Sequence, residues 1–191
     1  ANSQYEKATS ILQNIFYKIP EAPSKIAECK LKLGSIENLE ITVARKYFYE
    51  ILDIKSKLNN KSNKGLYEVI EGRAFYKIHQ LKFIEIIQNK SLKENEKITE
   101  IKNNLDSIKE IASGFSDVDY SDLINTHRKK ITNLYYDIVV MKSVDATCLR
   151  RDKNLDAIKV FEENISFIDC LTDEDKFFKH NLFKTIREKQ I

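Results

Sequence analysis

Only four glycines and two prolines occur in 191 residues. That is too few for the many tight turns of a sandwich or barrel, or for the phosphate-cradling loops of a nucleotide-binding α/β fold. Tryptophan is absent, and the three cysteines, Cys29, Cys148 and Cys170, show neither CxxC nor zinc-ligand spacing. Each cysteine lies in a helical pattern beside apolar neighbours, which reads as a buried thiol; an odd count leaves room for one disulfide at most. No run approaches the ~20 apolar residues of a membrane span. No signal peptide begins at Ala1, although a removed targeting segment stays open.

A strong charge of one sign is missing too. Lys and Arg number 32 against 29 Asp and Glu, for a net charge of +3, and lysines outnumber arginines 26 to 6. A nucleic-acid binder of this size usually carries a larger, clustered excess with arginines for bidentate contacts. The charge fits solubility. No nucleic-acid partner is expected.

What is present is helical periodicity. Apolar residues make up 42% of the chain and charged residues 32%, the balance of a globular protein. Tyr5, Ala8, Ile11, Leu12, Ile15, Phe16 and Ile19 recur at three-to-four-residue spacing and predict a helix over residues 4–19. Pro20 and Pro23 end it, Ser24 is placed to cap a helix over 25–33, and Gly34 to close that one. A third helix is expected over 38–58, with Leu39, Val43, Tyr47, Phe48, Ile51, Leu52 and Ile54 inward. The polar run 59–65 reads as a loop.

A fourth helix over 66–90 is apolar around much of its circumference and should sit centrally. In the fifth, Ile98, Ile101, Leu105, Ile108, Ala112 and Phe115 form a seam spaced 3, 4, 3, 4, 3, with Ser91 and Glu94 read as its capping box. Further helices are expected over 121–150, 155–170 and 173–189, the last capped by Thr172 with Asp175. No segment alternates strictly enough for a strand. The expectation is an all-α, single-domain, mostly antiparallel bundle of about seven to eight helices across residues 1–191, with residues 1–4 loose.

No enzyme site assembles from these residues. A di-iron bundle needs Glu-x-x-His pairs, but Tyr76, Ile124 and Phe177 stand three before His79, His127 and His180. No His-x-x-x-His or Cys/His cluster suggests zinc, and no Gly-x-Ser-x-Gly elbow suggests a serine nucleophile. Neither metal nor cofactor is expected. One pattern is sharper: Arg73 to His79 resembles the Arg-x(4–6)-His motif of HEPN-type helical ribonucleases, in which both residues act on RNA. Here Ala74 replaces the polar residue that often follows the Arg. Six helical residues also turn through about 600°, which separates the two side chains. A surface arginine and a half-buried histidine is the plainer reading.

Two features suggest a partner surface. His127-Arg128-Lys129-Lys130 and Arg150-Arg151 are the densest basic clusters, read as solvated helix flanks or as a polyanion patch. Phe177, Phe178, Leu182 and Phe183 load the terminal helix with aromatics that either dock on the bundle or meet a partner. Partner binding is therefore assigned to Phe177, Phe178, Leu182, Phe183, Arg128, Lys129 and Lys130. Leu33-Gly34 hints at a tetratricopeptide repeat, but no 34-residue echo follows.

The stretch 58–111 carries a family resemblance. An Asn/Lys/Ser loop precedes Tyr67-Glu-Val-Ile-Glu-Gly-Arg-Ala-Phe-Tyr-Lys-Ile-His79, then Ile87-Gln-Asn89 and Ile101-Lys-Asn-Asn-Leu105, and the Gly72-Arg73 pair inside an apolar helix is its most distinctive piece. This resembles the helical outer-surface lipoproteins of Borrelia, a family that includes complement-regulator-acquiring proteins. The resemblance implies a non-catalytic bundle of about seven helices on a lipidated tether at the outer-membrane surface. It would engage host or tick proteins in adhesion or immune evasion, with complement components among the candidates. The only membrane attachment implied is an N-terminal lipid anchor absent from this chain. A cytoplasmic HEPN-like ribonuclease or RNA-binding protein, or a cytosolic helical scaffold, is the alternative.

Overall fold

The computed structural model describes residues 2–15, 19, 21–58 and 64–149, with side chains as far as Ile138 save those of residues 2 and 57. Among these residues every regular element is helical: α1 (Asn2–Asn14), α2 (Ala22–Gly34), α3 (Ile41–Ile54) with a 3-10 turn (Lys55–Lys57), α4 (Lys64–Gln88), α5 (Glu94–Ala112) and α6 (Ser121–Leu149). The all-α expectation holds. The helices expected over 155–170 and 173–189 lie outside the described residues, as do Arg150-Arg151 and the phenylalanine-rich segment.

The ends of the helices differ from the sequence expectation for local reasons. Glu21 occupies the N-cap of α2 and Pro23 sits in its first turn, where its missing N–H removes nothing the helix would use. Ser24 is therefore a fully buried residue of that turn, not the cap. Gly34 is the last residue of α2 and has no positive φ. It is needed for space: a Cβ there would lie 2.6 Å from Phe48 Cε1 and 3.1 Å from the Ala44 carbonyl oxygen. Asn38, expected to open the third helix, has φ 64°, a left-handed conformation asparagine tolerates; the helix starts at Ile41. The Ser91–Glu94 box does not form. Instead the Lys93 N–H donates to Glu96 Oε2 at 2.8 Å, and Ser91 bonds Asn89 Oδ1.

By its contacts the chain divides into two compact units, residues 1–88 with 104–124 and residues 89–103 with 125–191. In the first, α2, α3 and α4 pack together around Ile26, Ala27, Ala44, Phe48, Ile51, Ile54, Tyr67, Ile70, Ala74 and Ile78. Val43, expected inward, is 37% exposed, and its neighbour Ala44 fills that position; the small side chain admits the close approach of α2. A second cluster gathers Ile108, Tyr120 and Leu123 with Phe115 and Val118. In the second unit, Ile98, Ile101, Ile131, Leu134, Tyr135 and Ile138 are buried, and Lys102 Nζ stands 5.5 Å from the centre of the Tyr135 ring. The seam predicted for α5 is observed at Ile98, Ile101, Leu105 and Ile108; Ala112 and Phe115 are only partly buried.

Several polar groups tie the first unit together from within. The Tyr67 hydroxyl donates to the Ile51 carbonyl and the Tyr120 hydroxyl to the Gly72 carbonyl, both at 2.6 Å. Glu71, almost wholly buried, accepts from Lys55 Nζ at 2.9 and 3.1 Å. Arg45 pairs with Glu85, and Lys30 with Glu50. Removing the cation from a pair like Lys55–Glu71 strands a carboxylate in the core. Lys55→Met should lower stability by about 1–2 kcal/mol, less than the ~3–5 kcal/mol of a fully buried pair because Lys55 is largely in water. The double variant Lys55→Met/Glu71→Leu should recover most of that loss in urea denaturation.

Candidate binding furrow between α2 and α4

The inward and outward faces of α4 divide its polar residues by role. His79 and Arg73 are six residues apart, and the helix turns them to different surroundings: His79 is buried and Arg73 exposed. His79 Nδ1 lies 2.6 Å from Asn104 Oδ1, while Asn104 Nδ2 donates to the His79 carbonyl oxygen at 3.1 Å. That second bond fixes the chemistry of the first. A carbonyl only accepts, so the amide nitrogen must face it, which turns Oδ1 toward the ring and makes His79 the Nδ1–H tautomer.

Burial lowers the His79 pKa below its usual value; the Asn104 hydrogen bond opposes the shift and the Lys82 charge adds to it. The unfolded chain therefore binds the proton more readily. Neutral His79 contributes its full stability above the unfolded value of about 6.5, and that contribution is lost as pH falls toward and through the lower folded value. The urea midpoint should drop on acidification from pH 8 to 5, and it should drop less in His79→Gln, a comparison in which other titrating groups cancel. At the other end, burial raises the Tyr120 hydroxyl to about 12, so it stays protonated as a donor to Gly72 throughout the neutral range.

The ribonuclease-like pair is thus not brought together in this chain. Arg73 instead belongs to a stripe of α4 that faces the furrow: Leu66, Val69, Arg73, Tyr76 and Lys77 follow one another at helical 3-and-4 spacing, with the core residue Ile70 at its floor. Opposite it, α2 presents Lys25, Glu28, Leu31 and Lys32, with Ser35 just past its end. The two stripes leave a furrow made of two adjoining hollows that share Leu31, Ser35 and Arg73. One hollow, of about 390 Å³, runs toward Leu66 and Val69. The other, of about 330 Å³, is closed by Asp117, Val118 and Asp119.

The charges along the furrow are unevenly satisfied. Lys25 pairs with Glu28 at 3.0 Å. Asp119 accepts the Ser121 backbone N–H at 2.8 Å at the start of α6, and this bond holds its carboxyl below the usual range. Lys77 bonds Gln80 at 3.1 Å and lies 6.0 Å from the Tyr76 ring centre. The side chains of Arg73 and Lys32 make no hydrogen bond or ion pair among the described residues.

The basic run of α6 is split by the same helical geometry. Successive residues rotate by about 100°, so His127 is fully buried, Arg128 and Lys130 are partly buried, and Lys129 is exposed. Arg128 also lends its carbonyl to the Thr132 hydroxyl at 3.1 Å. Phe177, Phe178, Leu182 and Phe183 lie outside the described residues. Among the described residues no group of His, Cys, Asp and Glu is arranged to hold a metal, and no helix is long and apolar enough to cross a membrane. Cys29 is partly buried and free, its thiol pKa raised chiefly by burial.

The furrow went unmarked in the sequence because its lining is split among α2, α4 and residues 117–119. The 3-and-4 spacing from Leu66 to Lys77 was visible, but the same helix offers an inward stripe of similar strength. Comparison adds no identity: no protein-family model, curated protein or solved structure matches this chain.

Proposed function

We propose that this chain is the non-catalytic helical ectodomain of a spirochaete outer-surface lipoprotein that binds host or tick proteins in adhesion or immune evasion. One observation carries most of the weight. The polar groups turned inward from α4 are spent on holding helices together, whereas an outward furrow keeps Arg73 and Lys32 unpaired beside apolar side chains. Such a face suits a macromolecular partner, which brings its own charges and covers apolar surface. The resemblance of residues 58–111 to the Borrelia surface lipoproteins supports the same reading and supplies the location. The separation of Arg73 from His79 gives the ribonuclease alternative no support.

The reading is tested in the native organism with the full-length protein. Radiolabelled palmitate should be incorporated, and protease applied to intact cells should remove the protein. The purified chain should also retain a defined host-serum or tick protein with saturable affinity. A protein that stays unlabelled, protease-protected and in the cytosolic fraction contradicts the proposal.

A further inference from the structure

The larger hollow of the furrow combines an apolar floor with an unbalanced charge at its rim. Leu31 and Val69 are partly buried, Ile70 is buried and Leu66 is 39% exposed. Above them stand three cations, Lys25, Lys32 and Arg73, and one anion, Glu28. The Lys25–Glu28 pair cancels internally, which leaves Lys32 and Arg73 as the cations of this hollow without an ion pair, on opposite walls; the carboxylates of Asp117 and Asp119 line the adjoining hollow that Arg73 also borders. A volume of about 390 Å³ is near the small end of ligand sites and accommodates a few side chains.

We propose that this hollow docks an acidic, leucine-containing segment of a partner protein. A carboxylate of the segment bridges Arg73 and Lys32, and a neighbouring aliphatic side chain covers Leu66 and Val69. Arginine suits the first contact because its planar fork meets both oxygens of a carboxylate. The aliphatic contact distinguishes such a segment from a simple polyanion, which has nothing to set against the apolar floor. The proposal deepens the binding-protein reading above and rests on it.

The probe is a fluorescein-labelled peptide of alternating glutamate and leucine pairs, titrated by anisotropy against the whole 191-residue chain. Saturable binding is expected, weakened about tenfold by Arg73→Glu and several-fold by Lys32→Ala. Lys46→Glu, an exposed substitution on α3 that lines neither hollow, should leave it unchanged. Arg73 and Lys32 are exposed, so the variants should keep the wild-type circular dichroism and melting curve. Replacing every leucine of the peptide by serine should weaken binding by a similar factor.

Equal binding of the serine peptide, or indifference to Arg73→Glu, overturns the proposal; the former makes the furrow a polyanion patch. A dimer in sedimentation that Arg73→Glu dissociates also overturns it, since the occupant is then a second copy. If a serum or tick protein binds but ignores Arg73→Glu, the furrow is wrong and the surface-protein reading survives. If the native protein is cytosolic, that reading fails while the peptide titration still reports on the hollow.

Discussion

Asn104→Leu is expected to lower the unfolding free energy by about 3 kcal/mol, read as a shift of the urea midpoint at pH 8. Asn104 is fully buried and serves His79 twice, as acceptor for the ring and as donor to the carbonyl. Leucine is close to asparagine in size, so the cost is mainly electrostatic: a buried Nδ1–H without a partner loses about 1–3 kcal/mol, and the carbonyl loses one of its two donors. The control is the double variant His79→Phe/Asn104→Leu. With both polar partners replaced by apolar groups, at least half the loss should return, because no donor is left stranded. A double variant no better than the sum of the singles would place the importance of these residues in shape rather than in the hydrogen bonds.

Gly72→Val is expected to cost a similar amount, about 3 kcal/mol, through a different mechanism. A Cβ at this position would stand 2.8 Å from Val118 Cγ2 and 3.0 Å from Phe115 Cδ1. Overpacking of that degree costs about 1–3 kcal/mol. The displaced segment also carries Tyr120, whose hydroxyl holds the Gly72 carbonyl, so the hydrogen bond is strained with the packing. Tyr120→Phe alone should lose about 1 kcal/mol. The two substitutions should then be less than additive when combined, since the first already disturbs what the second removes. Gly72→Ala makes the contrast: it meets the same Cβ contacts but adds no γ carbons, and better helix propensity offsets part of the cost, so its melting temperature should lie between those of Gly72→Val and wild type.

These two sites mark where the sequence was legible and where it was not. The seam of α5 was readable from spacing alone, because each residue from Ile98 to Ile108 repeats one face of a regular helix. Asn104 falls on that same arc, three residues after Ile101, and a polar residue there announces a buried partner. Nothing local names the partner as His79, twenty-five residues earlier. Gly72 stood out as an oddity in an apolar helix, but its reason is Phe115 and Val118, far along the chain. Helix ends were the least readable, since Pro23 and Asn38 act through backbone geometry and Glu96 through a side-chain bond to the Lys93 N–H, roles that several neighbouring residues could have supplied. The basic run at 128–130 was legible as a charge cluster but not in its exposure: each step along α6 turns about 100°, so Arg128 and Lys130 are partly buried and Lys129 exposed.

The proposed function requires α4 to have a structural interior and a binding exterior, with no bond-making chemistry between them. Incubating the purified chain with end-labelled single- and double-stranded RNA, with and without divalent cations, tests that division most directly. No cleavage above buffer is predicted for wild type, and Arg73→Ala should match it. Cleavage that vanishes in Arg73→Ala, with the helical spectrum intact, would contradict the account.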